Sequence, residues 1–221
     1  MFEKYTIFIG YDPREAVAYH TCVQSILDQS PDKNRLEFRP VCGERRDGSN
    51  DFIYARFLVP YLCGFHGRAL FLDGDMIARR PVEELFALDM AGMGVRVVKR
   101  DDYVTKYPVK YLGNKNENYP RKNWSSVVMW NCEDPSNKVL TPIFVTEQKG
   151  SYLHRFTWLA DEQIGALPPE WNRLVLEETA SDSDALFHYT IGTPCFAEYA
   201  DCERADEWYA AYDRAIAPLT R

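Results

Sequence analysis

The run Ala69-Leu70-Phe71-Leu72-Asp73-Gly74-Asp75-Met76-Ile77 constrains the fold more than any other stretch. Its uninterrupted apolar residues fit a central strand buried on both faces, which requires a sheet covered on each side. Gly74 lets the backbone turn sharply at the strand end, leaving two carboxylates side by side at the sheet's rim. Open α/β sheets bind ligands at that rim, outside the carboxyl ends of the strands. Paired carboxylates there are hard oxygen donors for Mn²⁺ or Mg²⁺. The spacing alone decides nothing. With 17 aspartates in 221 residues, about one Asp-x-Asp arises by chance. Asp182-Ser183-Asp184 is a second pair, in a polar stretch with no strand before it. A strand end that caps the next helix is the bland alternative for Asp73 and Asp75.

Strand and helix patterns alternate along the rest of the chain. Tyr5 to Tyr11 is β-branched and aromatic, and Asp12-Pro13-Arg14-Glu15 opens a helix with a capping acid, Pro at the first turn and Glu three residues on. Residues 35–41 predict a strand, 51–62 a helix ended or kinked by Pro60, 81–86 a short helix, 95–98 and 125–130 strands, and 135–149 a helix. Residues 161–167 predict helical turns, 173–176 and 186–190 short strands, and 203–217 a surface helix burying Trp208, Tyr209 and Tyr212. The expected fold is α/β: one domain over residues 1–221, a three-layer α/β/α sandwich around a mostly parallel, Rossmann-like sheet.

Composition removes several classes of function. A net charge of −7 argues against nucleic acid held by a general basic field. The six cysteines are scattered with no Cys-x-x-Cys, so they read as reduced, partly buried thiols rather than zinc ligands. No apolar run is long enough for an integral membrane segment, and the first residues lack a signal-peptide pattern, so a cytoplasmic protein is expected. Charge is uneven. Residues 99–124 carry seven basic and three acidic side chains, +4 against −11 elsewhere. Such a patch suits an anionic ligand or is simply a solvated loop.

Several segments together resemble the family 8 nucleotide-sugar glycosyltransferases, which have the GT-A fold. They are Ile9-Gly10-Tyr11-Asp12, Tyr54-Ala55-Arg56-Phe57, Leu72-Asp73-Gly74-Asp75, Asn123 to Asn131 with Ser126 where glycine is usual, Trp158 to Gln163, and His188 to Pro194. The matches run in family order from about residue 5 to 196. Two departures stand out: Asp161-Glu162-Gln163 replaces Asp-Gln-Asp, and Pro194-Cys195-Phe196 stands where a lysine often follows the late glycine.

The resemblance implies a hexosyltransferase taking a UDP-sugar donor with Mn²⁺ (or Mg²⁺) and acting, with retention, on a saccharide, glycolipid or glycoprotein acceptor. It divides the chain into a nucleotide and metal half (5–100) and an acceptor and catalytic half (101–200). Asp75 and His188 would hold the metal, with Asp73 bridging metal and ribose. Gly10, Tyr11, Asp12, Arg56, Asn131 and Gly192 would meet the nucleotide, and Asp161 and Glu162 would act beneath the sugar ring. Each has a plainer reading: Asp12 as a helix cap, Arg56 as the partner of a carboxylate such as Asp73, His188 as a core residue, Gly192 as a turn, and Asp161 and Glu162 as acids in a first helical turn. A haloacid-dehalogenase-type phosphatase also carries Asp-x-Asp after a strand, but normally after its first. A non-catalytic binding protein of the same fold is the remaining alternative.

Overall fold

A computed structural model describes residues 4–43 and 50–217. The strands are β1 (Tyr5–Gly10), β2 (Leu36–Val41), β3 (Arg68–Leu72), β4 (Met76–Ala78), β5 (Val95–Val97), β6 (Val109–Lys110), β7 (Asn114–Lys115), β8 (Val127–Asn131), β9 (Ile164–Ala166), β10 (Arg173–Leu174) and β11 (Leu186–His188). The helices are α1 (Ala16–Gln29), α2 (Val59–Leu62), α3 (Glu83–Phe86), α4 (Pro142–Glu147), α5 (Gly150–His154) and α6 (Ala205–Ile216). Six strands form the main sheet in the order β2-β1-β3-β8-β5-β9, and β8 alone runs against the rest. This is the mostly parallel α/β sheet that the alternation implies.

The pleat divides the core as the apolar run of β3 requires. Phe8, Phe71 and Trp130 point to one side, with Phe57, Leu153 and Phe156 packed over them. Ile7, Ile9, Leu70, Leu72 and Met129 point to the other, under Cys22 and Ile26 of α1. The register sets Ile9 beside Leu72, and Leu72 beside Val127. The carboxyl ends of β1 and β3 therefore meet the start of β8 at a single rim.

A second, three-stranded sheet is laid across that rim in the order β10-β11-β4. Its β11 is antiparallel to β4, pairing His188 with Met76, and α6 covers its outer side with Trp208 against Phe187 and Tyr189. Tyr212 stacks on Trp208, whereas Tyr209 lies at the surface.

Four segments depart from their sequence pattern. Residues 51–62 are not one helix: turns lead to a 3₁₀ segment at Ala55–Leu58 and then α2, where Pro60 sits in the first turn and starts the helix instead of ending it. Residues 135–149 break because Pro142 begins a new helix capped by Thr141. The strand expected from 125 starts at Val127, after a 3₁₀ turn at Trp124–Ser126. Residues 161–167 make one 3₁₀ turn and then β9, which adds a parallel edge strand beside β5. That strand was hidden because its three residues are too short to show a period.

Gly74 is needed for a reason other than the expected turn. Its φ lies outside the left-handed region, but a Cβ there would stand 2.3 Å from the Gly10 carbonyl oxygen. Backbone cannot yield as a side chain can, so Gly74→Ala should destabilise the protein by about 1–3 kcal/mol, the cost of overpacking. Urea denaturation checks this, and an unchanged midpoint would contradict the close approach.

Candidate metal centre

The geometry follows from the two sheets. Asp73 leaves the end of β3 with its amide donating to the Ser126 carbonyl at 3.0 Å, and Asp75 directly precedes β4. Because β11 pairs with β4, His188 arrives on the same side. One ligand atom from each of Asp73, Asp75 and His188 lies within 4.8 Å of the others, and all three residues are buried. His188 Nε2 is 3.3 Å from Asp75 Oδ1 and 3.8 Å from Asp73 Oδ2. Its Nδ1 pairs with Asn172 Oδ1 at 2.9 Å. An amide oxygen can only accept, so Nδ1 donates to it, and Nε2 is the ring nitrogen turned toward the carboxylates. Two oxygens and one imidazole nitrogen, oriented by a buried amide, are a donor set that could hold a divalent metal ion.

Arg56 is committed to the same cluster. Its Nη1 lies 2.7 Å from Asp73 Oδ1 and donates to the Ser125 carbonyl at 3.0 Å, with the Phe52 and Phe71 rings each 5.1 Å away. Burial pushes the Asp73 carboxyl up while Arg56 draws it down, and the upward push wins. For Asp75 burial acts in the same direction, but His188 and Lys110 outweigh it and hold the carboxyl below its ordinary value.

Several important groups had no clear signature in the sequence. Lys110, from the β6–β7 hairpin, lines the cavity of about 70 Å³ that holds the triad. Burial pulls its ammonium down in pKa, whereas Asp75, Asp73 and Glu15 support its charge. It thus places a cation beside the triad. Glu15 is turned inward rather than completing the capping motif, and burial, helped by Asp75, pushes its carboxyl up to about 8. The Tyr111 hydroxyl is hydrogen-bonded to Glu15. His154 also lines the cavity, its Nδ1 2.7 Å from Ser125 Oγ and its buried Nε2 without a hydrogen-bond partner among the described residues. The signal, where there was one, was chemical: a polar residue within an otherwise apolar pattern, as at Glu15, Asn172 and His154.

The other expected contacts fare less well. Asp12 is buried and consumed structurally: its carboxylate accepts from the Arg14 amide and guanidinium at 2.9 Å and from the Asp51 amide at 3.2 Å. The capping reading holds for it. Tyr11 lies edge-on to Tyr19 at 5.6 Å. A Cβ on Gly10 would meet the Phe52 ring at 2.5 Å and one on Gly192 the Tyr199 ring at 2.2 Å, so both glycines make room for aromatic packing. Asn131 does not reach the rim. It pairs with Arg68 at the opposite end of β3 and donates to the Met93 carbonyl at 3.0 Å, because β8 is antiparallel and carries its last residue away from the site. Asp161 and Glu162 do not join the triad either. Both are exposed in the 3₁₀ turn before edge strand β9, and Asp161 pairs with Arg121 at 2.5 Å beside a different cleft.

Glu177 gives the surroundings of the site a pH dependence. Only 5% exposed, it accepts a hydrogen bond from the Thr105 hydroxyl, and burial pushes its carboxyl up to about 7 from an ordinary 4.5. As pH rises past 4.5 the unfolded chain releases this proton while the folded chain keeps it, so stability falls until about pH 7 and then levels. After allowance for solvent screening the loss is on the order of 1 kcal/mol. Glu177→Gln should remove it, which urea midpoints at acidic and neutral pH would reveal. An unchanged slope would show that another group is responsible.

Comparison with solved structures shows the fold. The chain has the GT-A glycosyltransferase fold. WbbM, a bifunctional glycosyltransferase, superposes with a TM-score of 0.69 at 14% identity over 96% of this chain and 50% of its own. GlyE of Streptococcus pneumoniae gives 0.65 at 14% over 99% and 63%. The galactosyltransferase LgtC gives 0.62 at 13% over 95% of both chains. The chain therefore spans half of WbbM and less than two thirds of GlyE, but nearly all of LgtC. By sequence it is 39% identical to Protein CDI of Arabidopsis thaliana over 93% of this chain and 85% of that protein, and it belongs to the Protein CDI family. No protein-family profile matches it. Among the described residues no helix is long and apolar enough to cross a membrane.

Proposed function

We propose that the protein is a metal-dependent glycosyltransferase of the family 8 type, transferring a hexose from a UDP-sugar to an acceptor hydroxyl in the cytoplasm. The observation that carries this reading is the convergence of Asp73, Asp75 and His188 at the rim of a GT-A sheet. Asp75 and His188 would hold Mn²⁺ or Mg²⁺, and Asp73, pinned by Arg56, would bridge toward the ribose. When bound, the ion would offset the charge that builds on the departing diphosphate. Lys110 adds a fixed ammonium beside the same leaving group, in a cavity where electrostatic stabilisation is worth more than in water.

In the transfer, the bond between the anomeric carbon and the diphosphate oxygen breaks, the acceptor oxygen bonds to that carbon, and the acceptor proton leaves with the UDP phosphate. Among the described residues Asp73 and Asp75 are the only carboxylates lining the triad cavity, and both are engaged with Arg56 or His188. A covalent glycosyl-enzyme therefore has no obvious nucleophile. This favours same-face attack by the acceptor with retention, and it gives Asp161 and Glu162 no catalytic part. The acceptor is a saccharide, free or carried on a lipid or protein. A phosphatase reading loses ground because Asp73, its required nucleophile, is held by Arg56.

Calorimetric titration of UDP in Mn²⁺ and again in EDTA tests the proposal. Binding in Mn²⁺ that disappears in EDTA is expected, followed by slow hydrolysis of a UDP-sugar. Equal binding under both conditions, or none, would remove the metal site from the argument.

A further inference from the structure

Beside the triad cavity, and joined to it through Lys110, Tyr119, Asn123, Ile53 and Thr190, lies a wider cavity of about 400 Å³. Its size is within the range of small-molecule sites, about 300–1,000 Å³. Its charge is opposite to that of the whole protein. Among the described residues Lys110, Lys115 and Lys122 line it against a single acid, Glu117, on a chain of net charge −7.

Lys122 is the informative group. Only 6% of it is exposed, and its ammonium donates to Asn116 Oδ1 at 2.5 Å and to the Glu117 carbonyl at 2.8 Å. Both acceptors are neutral. The Tyr103 and Tyr119 rings stand 5.8 Å from its Nζ. No carboxylate pairs within 4 Å with Lys110, Lys115 or Lys122 among the described residues. A buried cation with no carboxylate in contact is costly to the folded protein, and a bound anion would relieve that cost. Burial and the neighbouring Lys110 pull the Lys122 ammonium down to about 8, against the support of the Glu117 carboxylate.

We propose that this cavity selects a sugar carrying an anionic group, carboxylate or phosphate, with Lys115 and Lys122 as specificity-determining residues. The inference rests on the glycosyltransferase reading for its placement beside the reacting centre. The donor diphosphate is not the anion in question, because Lys115 and Lys122 line the wider cavity and not the triad cavity. The side-chain amides of Asn114 and Asn123 and the face of Tyr119 provide hydroxyl partners and a stacking surface for a sugar ring.

The test separates the source of the anion and separates this inference from the reading beneath it. In EDTA, glucuronate and glucose 6-phosphate are titrated against glucose. In Mn²⁺, UDP-glucuronate is titrated against UDP-glucose, with UDP alone as reference. We expect at least tenfold tighter binding of the anionic member of one set: the free sugars if the group belongs to the acceptor, the nucleotide pair if it belongs to the donor. Lys115→Gln and Lys122→Met should each reduce that preference to threefold or less. Lys115 is exposed, so its variant remains informative if Lys122→Met fails to fold. Equal binding within both sets would overturn the inference even if UDP binds with Mn²⁺. A preference that survives both substitutions would overturn the assignment to these lysines. Anion preference without metal-dependent UDP binding would instead uphold this site and overturn the donor reading.

Discussion

Asp75→Ala should lower the turnover of a UDP-sugar by about a hundredfold or more, close to 3 kcal/mol of transition-state stabilisation. Asp75 is one of two carboxylates in the triad and the one nearer His188, at 3.3 Å. Its loss removes a metal donor and leaves His188 facing Asp73 alone. The protein should remain folded, because the change also relieves repulsion between two buried carboxylates. Steady-state hydrolysis, with circular dichroism as the check on folding, decides the matter, and near-normal turnover by a folded variant would refute the metal assignment. Asp184→Ala is the natural control. In the other Asp-x-Asp, Asp184 is buried and accepts from Arg173 at 2.8 Å and from the Ser181 amide at 2.6 Å. Its replacement should weaken the fold while sparing metal-dependent UDP binding.

The second large effect is on stability. Arg56→Ala should cost about 3–5 kcal/mol, the penalty for breaking a buried ion pair and leaving one charge without its partner. The guanidinium lies against two phenyl rings and is the cation that Asp73 faces at 2.7 Å, with Asp75 crowding the same cavity. Adding Asp73→Asn to Arg56→Met should recover much of the loss, since the stranded charge is gone and the Met side chain fills part of the space. Urea denaturation of the single and double variants measures both. A single variant within 1 kcal/mol of the parent would mean that water, not Arg56, stabilises Asp73.

What could be read in the chain was local. Phe8 and Phe71 face one layer and Ile7, Ile9, Leu70 and Leu72 the other because a strand alternates every second residue, so the buried sheet and the aspartates at its end followed from a single run. The helix after Asp12 was equally legible, since a capping acid and an early proline act within one turn. Patterns longer than their structural elements misled. Residues 51–62 and 135–149 keep helical spacing across breaks that Pro60 and Pro142 create.

Direction and adjacency lay beyond local pattern. Asn131 and Ser126 belong to one short segment, yet the antiparallel course of β8 sets Ser126 against Asp73 and sends Asn131 to the far side of the sheet. The two turn acids, Asp161 and Glu162, looked catalytic by sequence order, but edge strand β9 leaves them in solvent. Lys110 and Glu15, far apart along the chain, both come within electrostatic reach of Asp75, and Tyr111, next to Lys110, is hydrogen-bonded to Glu15.

The sequence by itself determined the α/β alternation, the central buried strand and the chemistry at its end, because periodicity, capping and turn residues act over a few neighbouring positions. Only the tertiary structure decided that His188 completes the triad, that Arg56 is its internal counterion and that three lysines line one cavity. Those contacts depend on strand order and pairing, which are set by how distant apolar faces pack and which no short window of sequence contains.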